Sequence, residues 1–235
     1  MLRCNSGIAM ACLIAAAAGS AGAQPFPLNE TMEWIYEVTL QNTTETTAVH
    51  FSGIASIGGL PTHVRIFSGG SDDGLRQYWS EDVDGDILLH GWAIEGLAVQ
   101  HDPPIRWVDV PLTLGKTWES TTQSQFGTLV IAFEVVALGP VTVPAGTFDC
   151  ATVAYTVTGP MAWKSPSYGL TGRRSDAMAA GSGTGNTDSY ADGIGVVESV
   201  FGASRTDRLV SVSDVVAIRE KTWAAVKALY RAQAR

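Results

Sequence analysis

Trp34-Ile35-Tyr36-Glu37-Val38-Thr39-Leu40 decides the fold class. In an extended chain successive side chains point to opposite faces, so Trp34, Tyr36, Val38 and Leu40 share one apolar face. β-branched and aromatic residues at that period make a half-buried strand. Working outward, the same chemistry recurs in short runs punctuated by Gly and Pro. His50 to Ile57 and His63 to Ser68 read as strands, as do Arg76 to Glu81 and Ile87 to Ile94. The last two flank Val83-Asp84-Gly85-Asp86, where Asp-Gly suits a type I′ hairpin turn with positive φ at both central residues. Leu129 to Ala137 and Thr147 to Thr158 are the longest strands, the second entered by a sharp turn at Pro144-Ala145-Gly146. No useful helical period precedes residue 213.

An internal echo groups these strands. Pro27-Leu28, five residues and Trp34 recur as Pro111-Leu112, five residues and Trp118. A Gly/Pro turn, a strand and a closing hairpin region (Tyr78 to Trp92; Tyr190 to Phe201) follow in each half. The reading is two similar β units, about 25–103 and 104–212, within one β domain, 24–212. They form a curved antiparallel sheet or half-barrel. Within the second unit, 159–189 is read as a mobile Gly/Ser/Thr-rich loop. Val215, Ile218, Thr222, Val226 and Leu229 recur at helical steps behind the N-cap candidate Ser213, so 213–235 is read as a C-terminal amphipathic helix.

Charge is segregated along this plan. The 235-residue chain has 15 Lys+Arg against 23 Asp+Glu, a net of −8. In the terminal helix Arg219, Lys221, Lys227, Arg231 and Arg235 oppose only Asp214 and Glu220, so 213–235 carries +3 and 24–212 carries −12. An acidic body argues against nucleic acid as partner, because phosphate contacts need a basic face. At 46% hydrophobic residues the chain can bury a core.

Met1 to Ala23 has the form of a secretory signal peptide: Arg3, an apolar run from Ile8 to Ala18, and Ala21-Gly22-Ala23 before Gln24. The expected location is exported, whether periplasmic, cell-surface or extracellular. No later run is long enough for a transmembrane helix. Loss of the leader takes Cys4 and Cys12 with it and leaves Cys150 alone, read as a small buried hydrophobe of the strand Phe148 to Val157.

Motifs for chemistry are absent. Asp82-Val83-Asp84-Gly85-Asp86 lacks the Gly and Glu placement of a calcium loop. His50, His63, His90 and His101 have no metal-ligand spacing. No Gly-x-Ser-x-Gly elbow occurs, and Gly181 to Gly185 lacks the ending of a phosphate loop. No catalytic residue, metal site or cofactor is assigned.

Four pieces carry a resemblance: Phe26-Pro27-Leu28 with Trp34-Ile35-Tyr36; Pro111-Leu112-Thr113-Leu114-Gly115-Lys116-Thr117-Trp118; Val143-Pro144-Ala145-Gly146-Thr147-Phe148; and Tyr190-Ala191-Asp192-Gly193-Ile194-Gly195-Val196-Val197. Together they resemble a class of exported, all-β bacterial proteins with Pro-Leu-x-x-Gly-x-x-Trp and Val-Pro-Ala-Gly-Thr-Phe elements. The resemblance implies a fold similar to the half-barrels of bacterial lipoprotein-localisation carriers, which hold lipid on a concave face. Asn29-Glu30-Thr31-Met32 departs from the first element, where its Gly would stand.

Two readings of function follow, with a hydrolase lacking a recognisable motif as a third. In the first, an envelope protein binds a lipid or other hydrophobic small molecule on a concave β surface, with Trp34, Tyr36, Trp79, Trp92, Trp163 and Tyr168 as ligand-binding residues. In the second, it is a structural or interaction protein. Its C-terminal helix is then a core element, or a docking tag for an envelope protein or anionic surface.

Overall fold

The computed structural model describes residues 24–41, 43–159 and 185–214. Twelve strands occupy them: β1 Met32–Leu40, β2 Thr43–Ile57, β3 Leu60–Ser68, β4 Arg76–Glu81, β5 Ile87–Ile94 and β6 Leu97–Val108, then β7 Thr117–Ser124, β8 Gly127–Val143, β9 Gly146–Thr158, β10 Asn186–Ala191, β11 Gly195–Phe201 and β12 Arg205–Asp214. A single 3₁₀ turn, Gly70–Asp72, lies between β3 and β4. Each strand pairs antiparallel with the next, and β12 pairs back onto β1, from Met32↔Asp214 to Leu40↔Arg205.

The sheet is therefore a closed barrel, not an open half-barrel. The reason lies in the segment before the expected helix. Arg205 to Asp214 extends as a strand, with Leu209 fully buried, and covers the edge that β1 would otherwise expose. Ser213 pairs with Glu33 and Asp214 with Met32, so neither starts a helix. Residues 215–235, which hold the rest of the expected basic helix, lie outside the described residues, as do 1–23 and the expected signal peptide.

Inward positions follow the alternation. Trp34, Tyr36, Val38 and Leu40 are all buried, and Ile87, Leu89, Ile105, Val108, Leu129, Ile131, Phe133 and Val135 continue the core around the wall. β4 and β5 have the bounds read from sequence. Their turn differs from type I′. Only Gly85 takes a positive φ, +88°, and the Asp82 carboxylate organises the loop by accepting the N–H groups of Asp84 (2.9 Å) and Asp86 (3.0 Å).

The expected loop 159–189 ends earlier than read. Asn186 to Ser189 belong to β10 and pair with Tyr155 to Thr152 of β9. Their polar composition suggested solvent, but Asp188 points inward to partners of its own. Six strands lie in 32–108 and six in 117–214, while the expected unit boundary at 103/104 falls inside β6. Trp34 and Trp118 both pack inward near the start of their strands, β1 and β7.

Candidate functional site at one mouth of the barrel

The turns β2–β3, β4–β5, β6–β7, β8–β9 and β10–β11 gather at one end of the barrel, where the chain also enters β1. Before β1, Gln24 to Leu28 runs across this mouth as a strap. The Gly193 N–H donates to the Gln24 carbonyl at 3.1 Å, and the Gln24 side-chain amide donates to Glu81. Phe26 turns inward. Its ring lies 4.8 Å from Trp79, 6.3 Å from Phe51 in an edge contact, and 5.3 Å from the Arg65 guanidinium. Gly195 allows the strap to lie this close: its φ is +95°, and a Cβ there would stand 3.3 Å from Pro27 Cδ.

A small cleft remains beside the strap, lined by Phe26, Trp34, Tyr36, Phe51, Arg65 and Val196 among others, with room for about one water molecule. Two of its walls are pinned. Trp34 Nε1 donates to the Ile194 carbonyl (2.6 Å), and the Tyr36 hydroxyl donates to that of Val196 (2.7 Å). Burial pushes the Tyr36 phenol up to about 12, against the pull of nearby Arg65, so it is a hydrogen-bond donor and not a proton source.

Arg65 is the charged member of this wall. β3 alternation puts it on the face of His63 and Phe67, and it pairs across from Phe51. Its guanidinium lies between the rings of Phe26 and Phe67, at 5.3 and 5.0 Å. Nη1 reaches Gln77 Oε1 only at 3.5 Å. Among the described residues it makes no ion pair.

Deeper inside, Asp188 is held by neutral donors: Ser199 Oγ (2.6 Å) on Oδ1, with Tyr190 OH (3.1 Å) and Trp107 Nε1 (3.4 Å) on Oδ2. Burial raises its carboxyl above the ordinary range, and these hydrogen bonds and Arg65 work against that. Trp107 also packs against Trp79, Phe133 and Tyr155, with ring centroids 5.4–6.2 Å apart. Among the described residues, these side chains pack against one another in the interior at that level.

Of the six aromatic residues read as ligand-binding, the four described ones are not gathered at one place. Trp34 and Tyr36 line the cleft, and Trp79 backs the Phe26 ring. Trp92 belongs to a separate cluster with Leu75, Ile94 and Val99. Trp163 and Tyr168 lie outside the described residues. The concave surface expected for them is the inside of a closed barrel. Sequence reasoning missed Arg65, although a charge on the inward parity of β3 was the available signal.

Elsewhere, side chains with chemical potential are committed to structure. Ser80 Oγ lies 2.7 Å from His90 Nε2, joining β4 and β5, and burial lowers the His90 imidazole. No carboxylate among the described residues orients that ring. Cys150 is buried in β9 with its thiol pushed up to about 11 by burial, which makes it a poor nucleophile. Asp86 accepts the Val110 N–H (2.8 Å) and pairs with Arg106 (3.1 Å), while Asp82 holds its own turn. No group of three metal-ligating side chains forms among the described residues.

Charged residues stand along the outward face. Glu33 and Glu37 alternate with the buried residues of β1, Glu134 does so on β8, and Arg208 of β12 pairs with Glu198 at 3.1 Å. On the lipid-facing band of a membrane barrel such charges are destabilising, most of all at mid-depth. No described helix is long and apolar enough to cross a membrane.

The class so defined is a closed, twelve-stranded, up-and-down antiparallel barrel with an aromatic interior and a strapped mouth. No known family model matches the chain, and neither does any curated protein. Two solved structures are similar. One is a predicted exported protein with a YmcC-like fold from Bacteroides fragilis, 14% identical, covering 80% of this chain and 98% of that one at a TM-score of 0.44. The other is a predicted lipoprotein from Parabacteroides distasonis, 12% identical, covering 81% and 99% at a TM-score of 0.39.

Proposed function

We propose that this is an exported, non-enzymatic protein of the bacterial envelope that binds a hydrophobic ligand at the strapped mouth of its barrel. The observation that carries this reading is the seat of Phe26. An aromatic slot walled by Phe51, Trp79 and Arg65 is filled by one ring, from a segment ahead of the barrel held across the mouth by Gln24. Withdrawing the strap exposes an apolar wall that includes Trp34 and Tyr36, with few polar groups to fix orientation. The export leader read over 1–23 supports the location. Native mass spectrometry of protein purified from its own envelope should show a bound amphiphile, and a fluorescent fatty-acid probe should bind the stripped protein. No co-purified ligand together with no probe binding sinks the reading.

The packed interior favours the second reading, a structural or interaction protein. The stack of Trp79, Trp107, Phe133 and Tyr155 leaves little to occupy without rearrangement. Truncation after Asp214 separates the two, because it leaves the β1–β12 seam whole. Loss of localisation with intact probe binding assigns the basic tail a docking role. Unchanged localisation removes it.

A further inference from the structure

Arg65 is a cation without a counter-charge in contact, at the edge of an apolar slot. Arg65 is half-buried, and taking a guanidinium even partly out of water among rings is costly unless its hydrogen-bonding capacity is used. The interior carboxyl that feels its charge, Asp188, already receives donors from Ser199, Tyr190 and Trp107, and makes no ion pair with Arg65. Gln77 offers one long contact and the Tyr36 hydroxyl a second polar neighbour, neither of them charged. The planar, fixed fork of Arg65 is therefore left to face the cleft, where one small group can enter. We propose that Arg65 is the anchor for the anionic end of an amphipathic ligand, a group of carboxylate size, whose apolar part takes the place of the Phe26 ring. This rests on the mouth being the ligand site and adds the chemical class of the ligand.

The slot gives the two halves of such a molecule different surroundings. Phe51, Trp79 and Trp34 offer ring faces and edges to an acyl or aryl portion. Arg65 sits against the same Phe26 ring, so a ligand that displaces Phe26 meets the guanidinium directly.

The test compares decanoate with decanol, equal in chain length and different in charge, by calorimetric titration of wild-type protein. Decanoate should bind at least about tenfold tighter, the scale of a charge-assisted hydrogen bond. Arg65→Met should bring the ratio of decanoate to decanol affinity to about one, whatever its effect on decanol itself, while Arg65→Lys should keep part of the preference. Equal binding of the two by wild-type protein, or a preference that survives Arg65→Met, overturns the role of Arg65 while the hydrophobic site stands. Binding of neither overturns the site itself and this inference with it. Should Arg65→Met fail to fold, the wild-type ratio and Arg65→Lys still decide: a ratio near one, or one unchanged by Lys, counts against the anchor.

Discussion

Arg205 shows what a buried charge requires. It is 3% exposed and forks onto two carboxylates: Asp72 at 3.1 and 2.6 Å and Asp207 at 2.6 Å through both Nε and Nη2. Burial works against its charge, and Asp207 and Asp72 outweigh it and hold the guanidinium protonated. Arg205→Met strands two acids, and urea unfolding should show a loss of about 3–5 kcal/mol; a loss under about 1 kcal/mol would mean the pairs are not formed. His101 is a second test. Burial, reinforced by His90, lowers its imidazole to about 4 from an ordinary 6.5. Between those values the unfolded chain binds a proton that the folded chain refuses. Its contribution is whole above about pH 6.5 and is lost as pH falls towards 4, by roughly 3 kcal/mol. His101→Asn should flatten the difference between urea midpoints at pH 7 and pH 4.5, and an equal slope in both proteins would remove this role. Neither site was legible in the sequence, because Asp72 and Arg205 are 133 residues apart and carry no local signal. Trp34 and Tyr36 were legible, because alternation is local.

At the scale of elements, period and turn chemistry located most strands, and β4 and β5 to the residue. At the end of β12, Ser213-Asp214 is good N-cap chemistry and predicts a helix start, but local propensity carries no information about the edge that β1 offers for pairing. The Asn, Thr, Asp and Ser of β10 have loop composition, and only the barrel interior, with Trp107 and Tyr190 as partners of Asp188, makes them a strand. The Pro111 to Trp118 piece has a plain structural use. Gly115 turns at φ +78°, and Lys116 Nζ binds Asp109 Oδ1 (2.6 Å) and three carbonyls, fixing the β6–β7 connection. Two predictions belong here. Leu209→Ala, in the seam, should cost about 2–5 kcal/mol in a denaturant melt; a surface-like change would contradict pairing of β12 with β1. Gly195→Ala should cost about 1–3 kcal/mol through backbone strain and crowd Pro27, so the Gly193 amide should exchange faster. Unchanged stability and protection would separate Gly195 from the strap.

For the whole molecule, closure is the consequential feature. A closed meander has no free edges, so a ligand can reach the interior only through a mouth. One mouth is covered by the chain's own strap, which joins the aromatic face first visible in Trp34 to Leu40 with the charge of Arg65. The acidic body and the basic residues after 214 were visible in composition, whereas closure was not, because it depends on pairing the two ends of the domain. The most direct test is the affinity of decanoate for Phe26→Ala, with folding confirmed by near-ultraviolet circular dichroism. Because the ligand no longer has to displace a buried ring worth about 1.5–3 kcal/mol, binding should tighten by about ten- to a hundredfold over wild type. Affinity that is unchanged or weaker in the folded variant would contradict a ligand site beneath the strap.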